Sequence, residues 1–420
     1  MAMLIVFLYM ISLYVRPQDW VPAILGLPTN DILIPLGLAI GYFSSMRDRE
    51  SFAVPQLKLF AAYLLIIFVS TYISVDMTTA FDQFVLYLKR VLVFVMILFI
   101  VNSRQRVGWA IAGIQVVTLF LAYQAYLQGH EGQSWGGLTP YPGYSDTRVR
   151  WFGDWDGPNV YAILFIVAIA MMLELVIGRH SFFMRLVGAF LSLSYMVAIY
   201  YTNSRGAYLA VACVILFYFK DRFKSVFAVV IAVVSLIGLF TFGPSRLQEI
   251  NSGESSAHER TWLWEQGLAM LKENPFVGIG RGQFAKNVDL GLIAHNNYVQ
   301  NFAETGLLGF FCFMGVLWFT FKGNLVLTRT DIPLEKGFRT AARMMNNALV
   351  GYAAATFFVV MELDMLYFVL GVASSVYVAA LREHPELERI WISRGDVLVI
   401  AAAMAGIIAL VWLAAVKEIL

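Results

Sequence analysis

The chain has 420 residues, of which 60% are hydrophobic and 14% charged, with a mean hydropathy of +0.70 and a formal net charge of +2. So apolar a composition excludes an ordinary soluble domain, and a balance this close to neutral gives no footing for nucleic-acid binding. The two cysteines, Cys213 and Cys312, sit far apart in apolar runs and define neither a disulfide framework nor a zinc site.

The apolar runs are about 20 residues long and do not alternate, so they predict membrane helices and not barrel strands. The expected fold class is therefore an all-α polytopic membrane protein, with 1–420 forming a single transmembrane domain. In chain order the predicted spans are 2–15, 31–46, 57–74, 82–101, 107–128, 158–178, 186–201, 204–219, 225–242, 302–321, 343–361, 363–381 and 397–416. That makes about 12–13, since the first run is short and the pair within 341–381 is closely spaced. Met1 opens directly into the first run without a basic start or a small-residue cleavage site, which reads as a span and not as a leader.

Linkers holding Arg47/Arg49, Arg104/Arg106, Arg179/Arg185, Lys220/Arg222/Lys224, the segment 322–343 and Arg382/Arg389/Arg394 alternate with linkers poorer in basic residues. Positive residues favour the cytoplasmic side of a membrane. The chain then starts inside, and three segments share the outer face: a loop at 129–157, the turn at 202–204 and a large loop at 243–300.

Polar residues in so apolar a chain are costly to place, and they mark where chemistry is expected. Lys89 and Arg90 lie inside the fourth span, toward its outer end, where snorkelling and a buried anion site both fit. The segment 141–159 carries Arg148, Arg150, Trp151, Asp154, Trp155, Asp156 and Asn159. Two carboxylates two residues apart, Asp154 and Asp156, form only a weak cation-binding pattern. Hydrogen bonding at the loop–helix junction is the plainer reading, with Asp156-Gly157-Pro158 starting the next helix by a cap and a proline. The tryptophans suit stacking on sugar rings and equally an interfacial aromatic belt. In Asn203-Ser204-Arg205-Gly206-Ala207, Arg205 sits at a helix end where its charge needs a nearby anion or a route to the headgroups.

The outer loop is the densest polar region. Residues 259–272 predict an amphipathic helix with Trp262, Leu263, Leu268 and Leu271 on one face, ended by Asn274-Pro275. Gly278, Gly280 and Gly282 then bring the backbone close to whatever Arg281 touches. Their spacing matches neither a dinucleotide fingerprint nor a P-loop, so no nucleotide is expected. Of the five histidines, His295 alone is embedded in a polar cluster: Asn296, Asn297, Gln300, Asn301 and Glu304. Gln300 and Glu304 share a helix face one turn apart. An imidazole can accept a proton at neutral pH, with an amide or carboxylate fixing its tautomer. A histidine capping a helix, with amides satisfying the backbone, fits the same pattern.

The Asn203-Ser204-Arg205-Gly206 turn, Trp264-Glu265-Gln266-Gly267, Asn274-Pro275-Phe276-Val277-Gly278, and His295-Asn296-Asn297-Tyr298 running into Glu304-Thr305-Gly306 together resemble the O-antigen ligase family. This superfamily also holds O-antigen polymerases and protein O-oligosaccharyltransferases. The likeness is strongest over about 151–310, and the opening Arg16-Pro17-Gln18-Asp19-Trp20 is similar to ligases of exopolysaccharide systems. The resemblance implies transfer of a glycan from undecaprenyl diphosphate to lipid A–core, at the periplasmic face of the bacterial inner membrane, without metal, nucleotide or other cofactor. It implies that the family's arginines correspond to Arg205 and Arg281 and its histidine to His295. Fixed guanidinium groups suit a departing diphosphate. Arg205 and Arg281 are the first expectation for that role, with Arg150, Arg90 and Lys89 behind them, and His295 is the expected base. Asn296, Asn297, Glu304, Asp154, Asp156 and Asn159 are expected in support or on the acceptor side. A polymerase or protein ligase would use the same donor. A flippase would instead place its polar groups near the bilayer midplane, on discontinuous helices.

Overall fold

The computed structural model describes residues 2–45, 54–142, 147–219, 255–359 and 362–416. The predicted span 225–242, the linkers Arg47/Arg49 and Lys220/Arg222/Lys224, and the first part of the outer loop lie outside the described residues. Within them are thirteen α-helices and no strands. They are α1 Ala2–Met10 (continued as a π-turn, Ile11–Val15), α2 Thr29–Ser45, α3 Pro55–Thr71, α4 Met77–Ile100, α5 Arg104–Glu131, α6 Pro158–Ile177 and α7 Phe182–Thr202. After these come α8 Arg205–Phe219, α9 Ser255–Glu273, α10 Asn297–Arg329, α11 Lys336–Ala355, α12 Asp364–Glu383 and α13 Arg394–Val416. Seven of them (α4, α5, α6, α7, α10, α12 and α13) are long and apolar enough to cross a membrane; the segments Ala2–Val15, Thr29–Phe43, Pro55–Thr71 and Arg205–Phe219 are shorter apolar helices. The protein is an all-α polytopic membrane protein.

Burial identifies the centre of the bundle. In their most apolar stretches α12 is 94% buried and α6 83%, against 22% for α7 and 17% for α13. α12 packs on α4, α10 and α11, while α6 packs on α7, α8 and α11. Two predicted boundaries move. The span expected at 302–321 begins at Asn297 and runs to Arg329, and that expected at 343–361 starts at Lys336 and ends at Ala355.

Cross-links fix which helix ends share a face. The Val149 N–H donates to Tyr201 O at 3.1 Å, the Asn297 N–H to Thr356 O at 2.9 Å, and the Asp76 N–H to Gln283 Oε1 at 3.0 Å. The described parts of 129–157, 202–204 and 243–300 lie together, since Arg148, Asn203, Ser204, Arg260 and His295 line one cavity, as the charge pattern predicts. On the opposite face, Lys336 Nζ donates to Arg179 O at 2.5 Å and Arg382 Nη1 to Asn102 O at 2.6 Å.

α10 is discontinuous, which the sequence reading did not anticipate. Gly306 adopts φ 64° and ψ −171°, interrupting the helix inside the protein. A break inside a membrane bundle strands backbone donors and acceptors. Here the loop after α9 takes them up. The N–H groups of Leu307 and Leu308 donate to Pro275 O (2.8 Å) and Phe276 O (3.1 Å), while Ala303 O and Glu304 O accept from Ile279 and Gly280, both at 3.1 Å. A side chain at Gly306 would meet Phe276 backbone atoms at 2.4 Å, and one at Gly278 would meet the Glu304 carbonyl carbon at 2.3 Å. Gly278, expected to approach a ligand, thus brings two backbones together, while Gly280 and Gly282 lie against the side chains of Ser74 and Gln83.

The Arg16–Trp20 motif is also structural. Arg16, itself left-handed (φ 53°), pairs with Asp19 at 2.5 Å and Asp154 at 3.2 Å. Trp151 and Trp155 are fully buried, and their indole N–H groups donate to Val15 O (2.9 Å) and Leu13 O (3.1 Å). They belong neither to a sugar platform nor to an interfacial belt. Asp156 does not cap α6: Gly157 is the N-cap, without a side-chain bond, and only the proline at the first position follows the predicted pattern.

Gly306→Ala combines a backbone region that side chains avoid with a clash against main chain, and such strain costs about 1–3 kcal/mol before the clash is counted. It is expected to lower the Tm of the detergent-solubilised protein by several degrees. Gly132→Ala, also at positive φ but with nothing within 4 Å, should lower it much less.

Candidate active site

On the face that gathers the three outer segments lies a cavity of about 510 Å³. Its lining comes from four places: Arg148 and Asn159 flank the α5–α6 connection, Asn203 to Ala207 form the α7–α8 turn, Glu259, Arg260, Thr261 and Trp264 come from α9, and His295 precedes α10. Ala355, Phe358 and Val359, at and beyond the end of α11, contribute an apolar wall together with Ile166 of α6. Asn203 ends α7 in the left-handed conformation (φ 53°, ψ 37°), which turns the chain sharply so that Arg205 can open α8. A side chain at Gly206 would meet Phe358 Cβ at 2.9 Å, so the turn sits hard against the apolar wall. Arg148 Nη2 donates to Asn159 Oδ1 at 3.3 Å, joining two cavity residues.

The position of His295 is fixed from both sides. Ala294 O accepts from Trp264 Nε1 at 3.0 Å, and the Ala294 N–H donates to Gln300 Oε1 at 3.0 Å. Gln300 Nε2 in turn donates to Glu304 Oε1 at 2.5 Å, the predicted one-turn pair. On the other side Asn296 caps α10, its Oδ1 accepting from the N–H groups of Tyr298 (2.9 Å) and Val299 (3.2 Å). Capping is therefore Asn296's task, and His295 lines the cavity instead, with a left-handed backbone (φ 50°). α9 can reach this strand of chain because Gly267 has no side chain: a Cβ there would meet Val299 Cγ1 at 2.3 Å.

Among the described residues, three guanidinium groups, Arg148, Arg205 and Arg260, and one carboxylate, Glu259, line the cavity. Guanidinium groups in this arrangement suit a phosphate-type anion. Burial of the ring pushes the His295 pKa down, the charge of Arg260 pushes it further, and Glu259 opposes them. The imidazole is thus held neutral at pH 7, the form that can take a proton.

Residues 187–314 match the family model described as O-antigen ligase. The match takes in 128 of the 420 residues. It covers α7, α8, α9, the histidine and the broken start of α10, so Arg205, Arg260 and His295 lie within it, whereas Arg148 and Asn159 lie outside. No curated protein matches the chain. At the level of that family, the matched stretch is similar to proteins of ligase- or polymerase-type glycosyl transfer.

Several predicted site residues do not reach the cavity. Arg281 is 3% exposed and is held at the α10 break by two carboxylates, Glu304 at 3.3 Å and Glu362 at 2.6 Å, with the Tyr87 ring 4.5 Å from its guanidinium carbon. Glu362 also accepts from Tyr63 (3.3 Å), Tyr367 (3.1 Å) and Asn301. Arg90 pairs with Asp364 at 2.9 Å and Lys89 with Asp31 at 2.6 Å, both from the middle of α4 and not from its outer end. Arg150 pairs with Asp156 at 2.8 Å while Asp154 pairs with Arg16, so the two carboxylates serve different arginines and do not converge on a cation. Asn297, 1% exposed, makes no side-chain hydrogen bond among the described residues and does not line the cavity. The partner missing from the sequence reading is Glu362. It stands in an apolar stretch with no motif around it, and only its spacing of two from Asp364 sets it apart.

Removing one carboxylate from a buried ion pair costs about 3–5 kcal/mol, because the remaining charge is left uncompensated. Glu362→Gln should therefore lower the Tm markedly. Asp156→Asn, at an exposed pair worth about 0–1 kcal/mol, should leave it almost unchanged. Thermal unfolding of both variants in one detergent tests the contrast.

Proposed function

We propose that the protein transfers an O-antigen polysaccharide from undecaprenyl diphosphate to lipid A–core, with inversion, in the bacterial inner membrane and on its periplasmic face. The single observation carrying this reading is that Arg148, Arg205, Arg260 and His295, drawn from four separate segments, line one cavity. Membrane lipids would deliver the donor laterally, and no nucleotide is called for.

The departing diphosphate takes the electron pair of the broken glycosidic C–O bond, and its charge grows as that bond lengthens. Guanidinium groups present paired N–H donors to phosphate oxygens and stabilise that charge as it develops. Arg205, Arg148 and Arg260 are assigned this role, with Arg281 acting as the internal strut that supports the loop. The acceptor hydroxyl oxygen attacks the anomeric carbon from the side opposite the diphosphate, and its proton passes to neutral His295. Asn159 holds Arg148 in place, and Glu259 is on hand to orient an acceptor hydroxyl. No covalent enzyme intermediate is needed. The countercharge comes from arginine, so no metal is assigned. The α10 break, which would otherwise suit a transporter, has its freed backbone groups consumed by 275–280 and not by a permeant.

Incubating purified protein with lipid-diphosphate glycan and, separately, lipid A–core, repeat-unit and protein acceptors tests the proposal. Product should form with lipid A–core, and product with another acceptor alone would reassign the acceptor. His295→Ala should reduce transfer by about 10²–10⁴-fold while donor binding persists, and undiminished transfer would remove the base. Arg205→Ala should weaken donor binding.

The pH dependence follows from the depressed His295 pKa. The active form is the neutral imidazole, which is lost as pH falls through its pKa. The acid limb of kcat/KM should therefore lie below the ordinary histidine value of about 6.5, and Arg260→Gln should move it upward.

A further inference from the structure

On the face opposite the transfer cavity, the end of α6, the turn at 179–180 and the start of α11 enclose a second cavity of about 710 Å³. Among the described residues, Arg179, His180, Lys336, Arg339 and Arg343 line it with one carboxylate, Glu174. That carboxylate is 1% exposed and already engaged by Arg343 at 3.2 Å and the Tyr218 hydroxyl at 2.9 Å, with His180 Nε2 at 3.7 Å. Among the described residues no carboxylate pairs with Arg179, Lys336 or Arg339.

Two further observations point to an anion. Arg339 is held in place by its Nη2, which donates to Thr330 O (3.2 Å) and Ile332 O (3.0 Å), while its buried Nε has no partner among the described residues. The α11 N-terminus, which also borders the cavity, lacks a side-chain cap: Glu335 at the cap position accepts from the Phe338 N–H only through its backbone carbonyl (3.0 Å), and its carboxylate is turned to His384 at 3.0 Å. A helix N-terminus with open N–H groups attracts negative charge. Basic residues on this rim are what membrane orientation asks for, but orientation does not require them to converge on a concavity. Converging like charges repel one another, and a bound anion relieves that repulsion.

We propose that this cavity is a phosphate-binding site, fixed at the membrane surface opposite the transfer site, for an anionic phospholipid headgroup or free phosphate. It is independent of the transfer reading. Neither the donor nor the acceptor has to reach it.

The test uses full-length protein, in nanodiscs of phosphatidylglycerol or of phosphatidylcholine, and in detergent with and without millimolar inorganic phosphate. Tm is read for the parent, the Lys336→Gln/Arg339→Gln double variant, Arg179→Gln and, as a control for loss of charge on the same face, Arg394→Gln. The parent should melt several degrees higher in phosphatidylglycerol than in phosphatidylcholine. The double variant and, to a lesser degree, Arg179→Gln should lose at least half of that difference, and Arg394→Gln should keep it. Stabilisation by inorganic phosphate in detergent would assign free phosphate, and stabilisation by phosphatidylglycerol alone would assign the lipid. Should the double variant not fold, the exposed Arg179→Gln decides. An equal response of parent and cavity variants, an equal loss in Arg394→Gln, or no anion effect on the parent would overturn the site.

Discussion

The break in α10 at Gly306 is the constraint on which the rest of the outer face depends. A helix interrupted inside a membrane protein must find new partners for its exposed backbone groups, and this one finds them in the loop that follows α9. That exchange seats Arg281 between Glu304 and Glu362. Glu304 then holds Gln300, Gln300 holds Ala294, and the next residue is His295. The imidazole that lines the cavity is thus tied, by four successive contacts, to a glycine well away from it in the chain.

The cations of this protein fall into two groups with different physics. Arg281, Arg90 and Arg16 are matched by carboxylates supplied from distant segments, and their role is to hold helices and loops in register. Arg148, Arg205 and Arg260 instead line one open cavity together, beside Glu259 among the described residues. Guanidinium groups gathered around an open space, and not locked between helices, are placed to meet an anion that enters it.

Much of this was legible from the residues. Hydropathy and the distribution of Lys and Arg placed the outer segments on one face, because both follow from transfer free energies that act on local sequence. Arg205 and His295 stood out because each sits at a helix end among small or polar neighbours. What could not be read was pairing over long range. Arg281 looked like a ligand for phosphate because its carboxylates, Glu304 and Glu362, are 23 and 81 residues further along the chain. The glycines around it looked like a ligand loop because a turn that approaches a substrate and one that approaches another backbone demand the same absence of Cβ. Trp151 and Trp155 looked exposed because nothing local announces that Val15 and Leu13 will accept their hydrogen bonds.

The near-total enclosure of α12 bears on how the chain is made. This helix is translated late, yet it fills the space between helices that emerge much earlier, α4 and α5 among them. Until it arrives, Arg90 lacks Asp364, and Arg281 and Tyr63 lack Glu362 just ahead of it. Arg90 thus waits 274 residues for Asp364, and Arg281 waits 81 for Glu362. Consolidation of this core therefore waits for α12 to be synthesised and to dock among helices made well before it.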